Sequence, residues 1–127
     1  MTAVTIDASA MLAMLLAERG GDRVEAMLPN GLISTVNWSE VIQKALDIGS
    51  PTIGLADELI GAGLQIVDFE LADADLAGGL WQITHHLGLS LADRACLATA
   101  LRRSSVVITA DRAWRKLDLD VKVEVIR

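Results

Sequence analysis

The chain has 127 residues, 52% of them hydrophobic, and a net charge of −6. This length suits one compact domain spanning residues 1–127, and the hydrophobic fraction supports a real core and excludes a disordered chain. The negative charge is unfavourable for a protein that binds nucleic acid over its whole surface.

Strands and helices are predicted to alternate from the N-terminus onward. Short β-branched or apolar runs predict strands at residues 4–6, 32–35, 64–67, 105–109 and 121–126. Helical spacing and capping signals predict helices at residues 8–19, 22–28, 36–48, 51 to about 61, 71–87 and 91–102, with one helical turn at 111–116. At the pair Gly78-Gly79 we expect either a kink in the helix or close packing against it, because each glycine costs ~1 kcal/mol relative to alanine in a helix interior. The alternation favours a mostly parallel sheet covered on both faces.

Membrane insertion and secretion are not expected. The longest apolar run in the first helix, residues 10–17, is shorter than the ~20 residues that span a bilayer. No basic residue precedes Asp7, which argues against a secretory signal. The single cysteine, Cys96, cannot form an internal disulfide, so we expect a reducing, cytoplasmic setting.

Four acidic residues stand at strand ends or early in helices: Asp7, Glu40, Asp93 and Asp111. In a parallel sheet these positions share one edge, where ligands bind. Carboxylates gathered there repel one another by ~4 kcal/mol per pair at ~4 Å and an effective dielectric of ~20. A cation should therefore lie between them, and hard oxygen ligands suit Mg²⁺ or Mn²⁺.

Each of these acids also has an ordinary structural interpretation. Asp7 could cap a helix, Glu40 and Asp93 could stabilise helix dipoles, and Asp111 could begin a turn. All four falling at such positions is less expected by chance, so the metal site is the preferred interpretation. Ser9, two residues after Asp7, can support the carboxylate or cap the helix.

Divalent ions at such a site would suit phosphodiester hydrolysis by metal-activated water, without a nucleophilic side chain. The sequence has no Gly-Lys-Ser/Thr phosphate loop, no Gly-x-Gly-x-x-Gly fingerprint and no Gly-x-Ser-x-Gly elbow. His85 and His86 are adjacent, so on a helix they point ~100° apart and do not form a metal-binding pair. Cys96 is expected to be a small core residue.

The basic residues are concentrated in the C-terminal third. Residues 94–127 contain eight basic and four acidic residues, a net charge of +4, whereas the rest of the chain carries −10. This asymmetry is compatible with a basic rim beside an acidic site and equally with an ordinary solvated face. Three tryptophans, one phenylalanine and no tyrosine argue against RNA binding through aromatic stacking.

Four segments stand in a recognisable order: residues 6–10 (IDASA), 34–41 (STVNWSEV), 88–98 (GLSLADRACLA) and 108–114 (ITADRAW). Each is weakly specific alone, but the ordered set covers almost the whole chain. It resembles the motifs of PIN domains and, more closely, of the VapC-type toxins of bacterial toxin–antitoxin pairs.

The resemblance implies a three-layer α/β/α PIN-like fold and Mg²⁺- or Mn²⁺-dependent endoribonuclease activity on structured RNA. By position, Asp7, Glu40 and Asp93 match the core acids of the family and Asp111 its more variable fourth acid. Thr109 and Ser9 match polar positions that steady the acids.

The resemblance also implies partners. It predicts a homodimer and a cognate VapB-type antitoxin that wraps the toxin and inserts a segment at the acidic site, within a larger toxin–antitoxin complex.

The candidates for RNA contacts lie in the basic C-terminal third and are Arg94, Arg112 and Arg115.

Two other classes of function stay open. One is a catalytically silent module that acts through its antitoxin complex. The other is a metal-dependent phosphatase or receiver domain, although the first strand is followed by Asp7-Ala8-Ser9 and not by Asp-x-Asp, and no lysine lies beside Thr109.

Overall fold

The computed structural model describes residues 3–127. The strands are β1 (Val4–Ile6), β2 (Gly31–Ser34), β3 (Gln65–Val67), β4 (Val106–Thr109) and β5 (Val123–Val125). The α-helices are α1 (Ala8–Leu15), α2 (Gly21–Met27), α3 (Thr35–Asp47), α4 (Leu55–Gly61), α5 (Leu71–Gly79), α6 (Trp81–Thr84) and α7 (Leu91–Arg103). Short 3₁₀ helices follow at Leu28–Asn30, His85–Leu87 and Arg112–Lys116. Within residues 3–127, no helix has both the length and the apolar character needed to cross a membrane.

The central sheet is parallel throughout, in the order β3-β2-β1-β4-β5. β1 is the middle strand, and Ile6 is in register with Ile108 of β4. Because all five strands run in the same direction, their carboxyl ends emerge at one edge. The residue that follows β1, Asp7, therefore lies at the centre of that edge.

Two hydrophobic cores lie on the two faces of the sheet. Successive residues of β4 show the alternation, because Ile108 belongs to one core and Val107 to the other. The first core includes buried residues of α1, α2 and α4, and the second includes those of α5 and α7. The predicted three-layer α/β/α fold with a mostly parallel sheet is confirmed.

The transition from β1 to α1 fixes the backbone of Asp7. Its N–H donates to the carbonyl of Ile108 on β4 over 2.8 Å, and its own carbonyl accepts from Met11 over 3.0 Å. Asp7 is thus the last residue bound to the sheet and the first bound to the helix.

The helix predicted at residues 71–87 is interrupted at the glycine pair. α5 ends at Gly79, and α6 begins at Trp81. A Cβ at Gly78 or Gly79 would meet no atom of the described residues within 4 Å. Close packing therefore does not explain the pair, and its low helix propensity accounts for the break.

Two predicted helix starts were wrong. Asp22 was expected to cap α2, but Gly20 occupies the cap with φ +87° and Asp22 lies in the first turn. A Cβ at Gly20 would come within 2.5 Å of the Ile126 carbonyl oxygen, so the C-terminal segment requires a glycine there. Pro51 was expected in the first turn of α4, which instead begins at Leu55 after Gly54 at φ +76°. The first helix also ends at Leu15 and not near residue 19.

Candidate active site

Asp7 is buried at the centre of the sheet edge, with only 4% of its surface exposed. The Ser9 hydroxyl donates to its Oδ2 over 2.6 Å, and the Thr109 hydroxyl donates to the same oxygen over 2.9 Å. Ser9 Oγ also accepts from the backbone N–H of Ala110 over 3.0 Å. These contacts fix the orientation of the Asp7 carboxylate between β1 and β4.

Burial raises the pKa of Asp7 from its ordinary value of 3.8 to about 6. The hydrogen bonds from Ser9 and Thr109 oppose this shift, while the negative charges of Asp93 and Glu40 add to it. The structure therefore brings three of the four predicted acids near enough to interact electrostatically. A cation among them would favour the ionised form of Asp7.

Glu40 lies on the second turn of α3 and has two differently placed carboxylate oxygens. Its Oε2 is 3.2 Å from the Nζ of Lys44, one helical turn further on. Its Oε1 is buried and has no hydrogen-bond partner among the described residues. A buried carboxylate oxygen without a protein partner is costly, and a bound cation would satisfy it.

Asp93 forms a reciprocal capping box with Ser90 at the start of α7. Its N–H donates to Ser90 Oγ over 3.1 Å, and its Oδ2 accepts from the Ser90 N–H over 2.9 Å. The expectation that Ser90 caps this helix is confirmed. Asp93 thus stabilises the helix start and also contributes negative charge near Asp7.

Asp111 lies at the periphery of the acidic cluster. It is exposed and caps the 3₁₀ helix Arg112–Lys116, where its Oδ1 accepts from the Ala113 N–H over 2.9 Å. Its N–H donates to Thr109 Oγ1 over 3.1 Å. Asp111 is not among the charges that shift the pKa of Asp7. Asp111 is connected to Asp7 through the Thr109 hydroxyl, which accepts from the Asp111 N–H and donates to the Asp7 carboxylate.

The chemical nature of the donor atoms fits a hard divalent ion, although their side chains are not arranged in coordination geometry. No group of three or more histidine, cysteine or acidic residues in the described part of the chain is arranged to hold a metal. The donors of the cluster are all carboxylate oxygens, which Mg²⁺ and Mn²⁺ prefer. The unpartnered Glu40 Oε1 supplies the structural observation in favour of a cation.

The three arginines predicted to bind RNA have different surroundings. Arg94 is half-buried and donates from Nη1 to the Leu89 carbonyl over 3.0 Å, while its Nε is buried without a partner in the described chain. Arg112 and Arg115 are exposed on the 3₁₀ helix that Asp111 caps. Arg112 Nε donates to the Arg127 carbonyl over 3.1 Å. These two exposed guanidinium groups lie on the segment that leaves the acidic edge.

Asn37 was not singled out by the sequence, although its side chain links two parts of the site. It is only 1% exposed, accepts from Ser34 Oγ over 2.8 Å and donates to the Ala92 carbonyl over 2.9 Å. An asparagine three residues before a candidate metal ligand, on the same helical face, was the available signal. Its partner lies 55 residues away along the chain and is not visible in the local pattern.

Cys96 lies in the core, as predicted, and the structure also places it near three of the acids. It is completely buried, and burial raises the pKa of its thiol well above the ordinary value, with the charges of Asp7, Asp93 and Glu40 adding to the shift. A thiol in this environment stays protonated and is a poor nucleophile. His85 is exposed and stacks on Trp81, with ring centroids 4.3 Å apart.

The PIN-domain family model matches residues 4–119. The chain belongs to the PIN-domain family. No match was found among curated proteins. The matched range contains Asp7, Glu40, Asp93 and Asp111, and the predicted family and fold now rest on an independent comparison of the sequence.

Several solved structures are similar to this PIN domain. A DNA-bound VapBC from Salmonella typhimurium superposes with a TM-score of 0.75 at 19% identity, covering 100% of both chains. A toxin–antitoxin complex from Klebsiella pneumoniae gives 0.74 at 20% identity, covering 98% of each chain. VapBC-5 from Mycobacterium tuberculosis gives 0.61 at 21% identity, covering 100% of this chain and 99% of that one. At these identities the similarity establishes the fold.

Proposed function

We propose that this PIN domain is a metal-dependent endoribonuclease and the toxin of a bacterial type II toxin–antitoxin pair. The observation that carries the proposal is the buried carboxylate of Asp7 at the centre of the sheet edge, under the charges of Glu40 and Asp93. Folding has placed ionisable groups where their mutual repulsion is unfavourable. Functional sites are where such perturbed groups concentrate.

Asp7, Glu40 and Asp93 would hold one Mg²⁺ or Mn²⁺, and Asp111 would help at a second position. When bound, such an ion supplies an activated water and neutralises charge on the phosphate. Both hydroxyls on Asp7 bond to its Oδ2, and no hydrogen bond from the described residues reaches its Oδ1. Oδ1 therefore remains available to a ligand.

Ser9 and Thr109 serve as orienting residues in this proposal. Their hydroxyl groups hold the Asp7 carboxylate and favour its ionised form, which lowers its pKa against the effect of burial. Lys44 neutralises Glu40 when no ion is present. These contacts thus hold Asp7 and Glu40 in position and partly offset their negative charges in the metal-free protein.

Structured RNA is the proposed substrate. Arg112 and Arg115 are exposed on the helix that follows the acidic edge, and they belong to the C-terminal third with its net charge of +4. Basic groups there would attract the phosphate backbone to a site that is itself acidic. Arg94 would contribute from the start of α7, beside Asp93.

A VapB-type antitoxin is the proposed partner, in the cytoplasm, with a homodimer of the toxin inside a larger complex. The support is that the similar structures named above are toxin–antitoxin complexes. A cavity of about 430 Å³ also adjoins the site. Its lining combines apolar residues (Leu12, Leu16, Ile48) with polar and charged ones (Ser9, Glu18, Lys44, Asp47, Arg127). This mixed lining would suit an amphipathic peptide segment of the antitoxin.

The test of the activity is cleavage of total cellular RNA by purified, antitoxin-free protein with Mg²⁺ or Mn²⁺. EDTA and the Asp7→Asn variant are the controls, and mapping of RNA ends identifies the target. Discrete cuts that disappear in both controls are expected. RNA cuts that persist in EDTA and with Asp7→Asn would contradict the proposal.

One observation favours a second function, a catalytically silent module that acts through its antitoxin complex. Glu40 is paired with Lys44, and Asp93 is engaged in a capping box with Ser90, so both acids already have structural roles. The same assay separates the two functions. Folded protein that binds Mn²⁺ and leaves every RNA intact would favour the silent module.

A further inference from the structure

The side chain of Asn37 connects the start of α3 to the start of α7. Its Oδ1 accepts from Ser34 Oγ over 2.8 Å, and its Nδ2 donates to the Ala92 carbonyl over 2.9 Å. Its own backbone N–H donates to Ser34 Oγ over 3.1 Å. With 1% of its surface exposed, the amide is held by protein contacts and not by solvent.

Both ends of this connection lie next to a candidate metal ligand. The Ala92 carbonyl belongs to the peptide group whose N–H is that of Asp93, and this N–H donates to Ser90 Oγ over 3.1 Å. That peptide group is therefore held from both sides. On α3, Asn37 precedes Glu40 by three residues, so the two share one face of the helix.

We infer that Asn37 is a positioning residue that sets the spacing between Glu40 and Asp93 in the proposed metal site. The inference rests on the proposed function and adds to it a residue that touches neither ion nor RNA. A carboxamide is the group required, because it accepts from Ser34 and donates to Ala92 at the same time. An aspartate of the same size lacks the donor, and alanine lacks both groups.

The readout that separates positioning from a purely structural role is the affinity for Mn²⁺. Groups that orient metal ligands typically change metal affinity or activity by about 10- to 100-fold when they are removed. A loss of stability alone lowers the temperature of unfolding without changing the affinity of the folded protein. A control must therefore remove a comparably buried polar group elsewhere.

Thr84→Ala is that control. Thr84 is fully buried on α6, and its hydroxyl donates to the Leu80 carbonyl over 2.7 Å. Mn²⁺ is titrated by calorimetry into the wild type, Asn37→Ala and Thr84→Ala, and thermal unfolding is followed for each. Cleavage of a mapped RNA is measured in parallel.

Asn37→Ala is expected to weaken Mn²⁺ binding by about 10- to 100-fold and to lower kcat with little change in KM. Thr84→Ala should bind Mn²⁺ like the wild type, even where its unfolding temperature falls. Wild-type affinity in Asn37→Ala would overturn the inference, as would equal losses in both variants.

A second variant keeps the test decisive where Asn37→Ala does not fold. Ser34→Ala removes the hydroxyl that orients the amide and leaves Asn37 in place. It should weaken Mn²⁺ binding in the same direction but less, and an unchanged affinity would overturn the inference. A wild-type protein that binds no Mn²⁺ contradicts the proposed function itself, whereas Mn²⁺-dependent cleavage that is insensitive to Asn37 contradicts only the positioning role.

Discussion

The hydroxyl of Thr109 donates a hydrogen bond of 2.9 Å to the carboxylate of Asp7, across two neighbouring parallel strands. The register of β1 and β4 pairs Ile6 with Ile108. The residues that follow them, Asp7 and Thr109, are therefore neighbours at the carboxyl edge of the sheet. Burial without this bond would favour a neutral Asp7 still more strongly. The pairing of β1 with β4 thus provides one of the two hydrogen bonds that oppose the effect of burial on the pKa of Asp7.

Asp7 should make the metal-free protein less stable as the pH rises. Burial raises the pKa of Asp7 to about 6 from 3.8, so the folded protein binds this proton more tightly than the unfolded chain does. The corresponding stabilisation is complete below about pH 4 and is lost as the pH rises through about 6, a change of ~3 kcal/mol. We expect the free energy of unfolding of the wild type, minus that of Asp7→Asn, to fall by ~3 kcal/mol across this range.

Urea unfolding of both proteins in EDTA, at a series of pH values, measures this difference. The other titratable groups are common to both proteins and largely cancel. A difference that stays constant with pH would show that Asp7 is not desolvated as the structure indicates. Added Mn²⁺ should stabilise the wild type at neutral pH and leave Asp7→Asn unchanged.

Thr109→Val should reduce RNA cleavage by about 10- to 100-fold while the protein stays folded. The substitution preserves the shape of the side chain but removes the hydroxyl that donates to Asp7 and accepts from Asp111. Thr99→Val is the matched control, because Thr99 is also fully buried and its hydroxyl donates only to the Ala95 carbonyl of its own helix. Equal cleavage activity of Thr109→Val and Thr99→Val would contradict a role for Thr109 in the active site.

Asp73→Asn should lower the free energy of unfolding by about 1–3 kcal/mol at neutral pH. Burial alone would raise the pKa of Asp73, but the Glu70 N–H and the guanidinium groups of Arg102 and Arg103 lower it. The stabilisation is therefore present above about pH 4 and is lost as the pH falls below it. Urea unfolding at several pH values measures the effect, with Asp75→Asn, an exposed acid on the same helix, as the control. A deficit that persists unchanged into strong acid would contradict this account.

Arg115→Ala should weaken RNA binding by a similar factor for every RNA and reduce the salt dependence of binding by about one unit of slope. The measurement uses the Asp7→Asn background, so that RNA is bound but not cut. Lys122→Ala is the control, since Lys122 lines a cavity with Ser105 and Val106 at the opposite end of β4. Equal effects of the two substitutions would indicate nonspecific attraction and not a path for RNA beside the acids.

The sequence predicted the acidic edge because its signals are local. Asp7 and Asp111 closely follow apolar strands, and Asp93 follows a Ser90 cap, so alternation of strands and helices was enough to bring them to one side. Asp73 and Asn37 could not be placed in the same way. Their partners lie 29 to 55 residues away, and only tertiary packing brings them together.

The predicted starts of two helices were wrong because a glycine precedes each helix. Gly20 and Gly54 both adopt positive φ immediately before a helix, and neither position offers a side-chain cap. Local capping rules favoured Asp22 and Pro51 instead, because these residues are the usual helix initiators. At Gly20, the close approach of the Ile126 carbonyl decided the outcome, and this contact spans most of the chain.

The central claim is that the buried Asp7 carboxylate is required for metal-dependent cleavage of RNA. The most direct measurement is the Mn²⁺ dependence of RNA cleavage by the wild type, Asp7→Asn and Asp120→Asn, each shown to be folded. Asp120 is an exposed acid in the cavity at the opposite end of β4. We expect the wild type and Asp120→Asn to cut the same positions over the same Mn²⁺ range, and Asp7→Asn to cut none. Full Mn²⁺-dependent cleavage by Asp7→Asn would contradict the account.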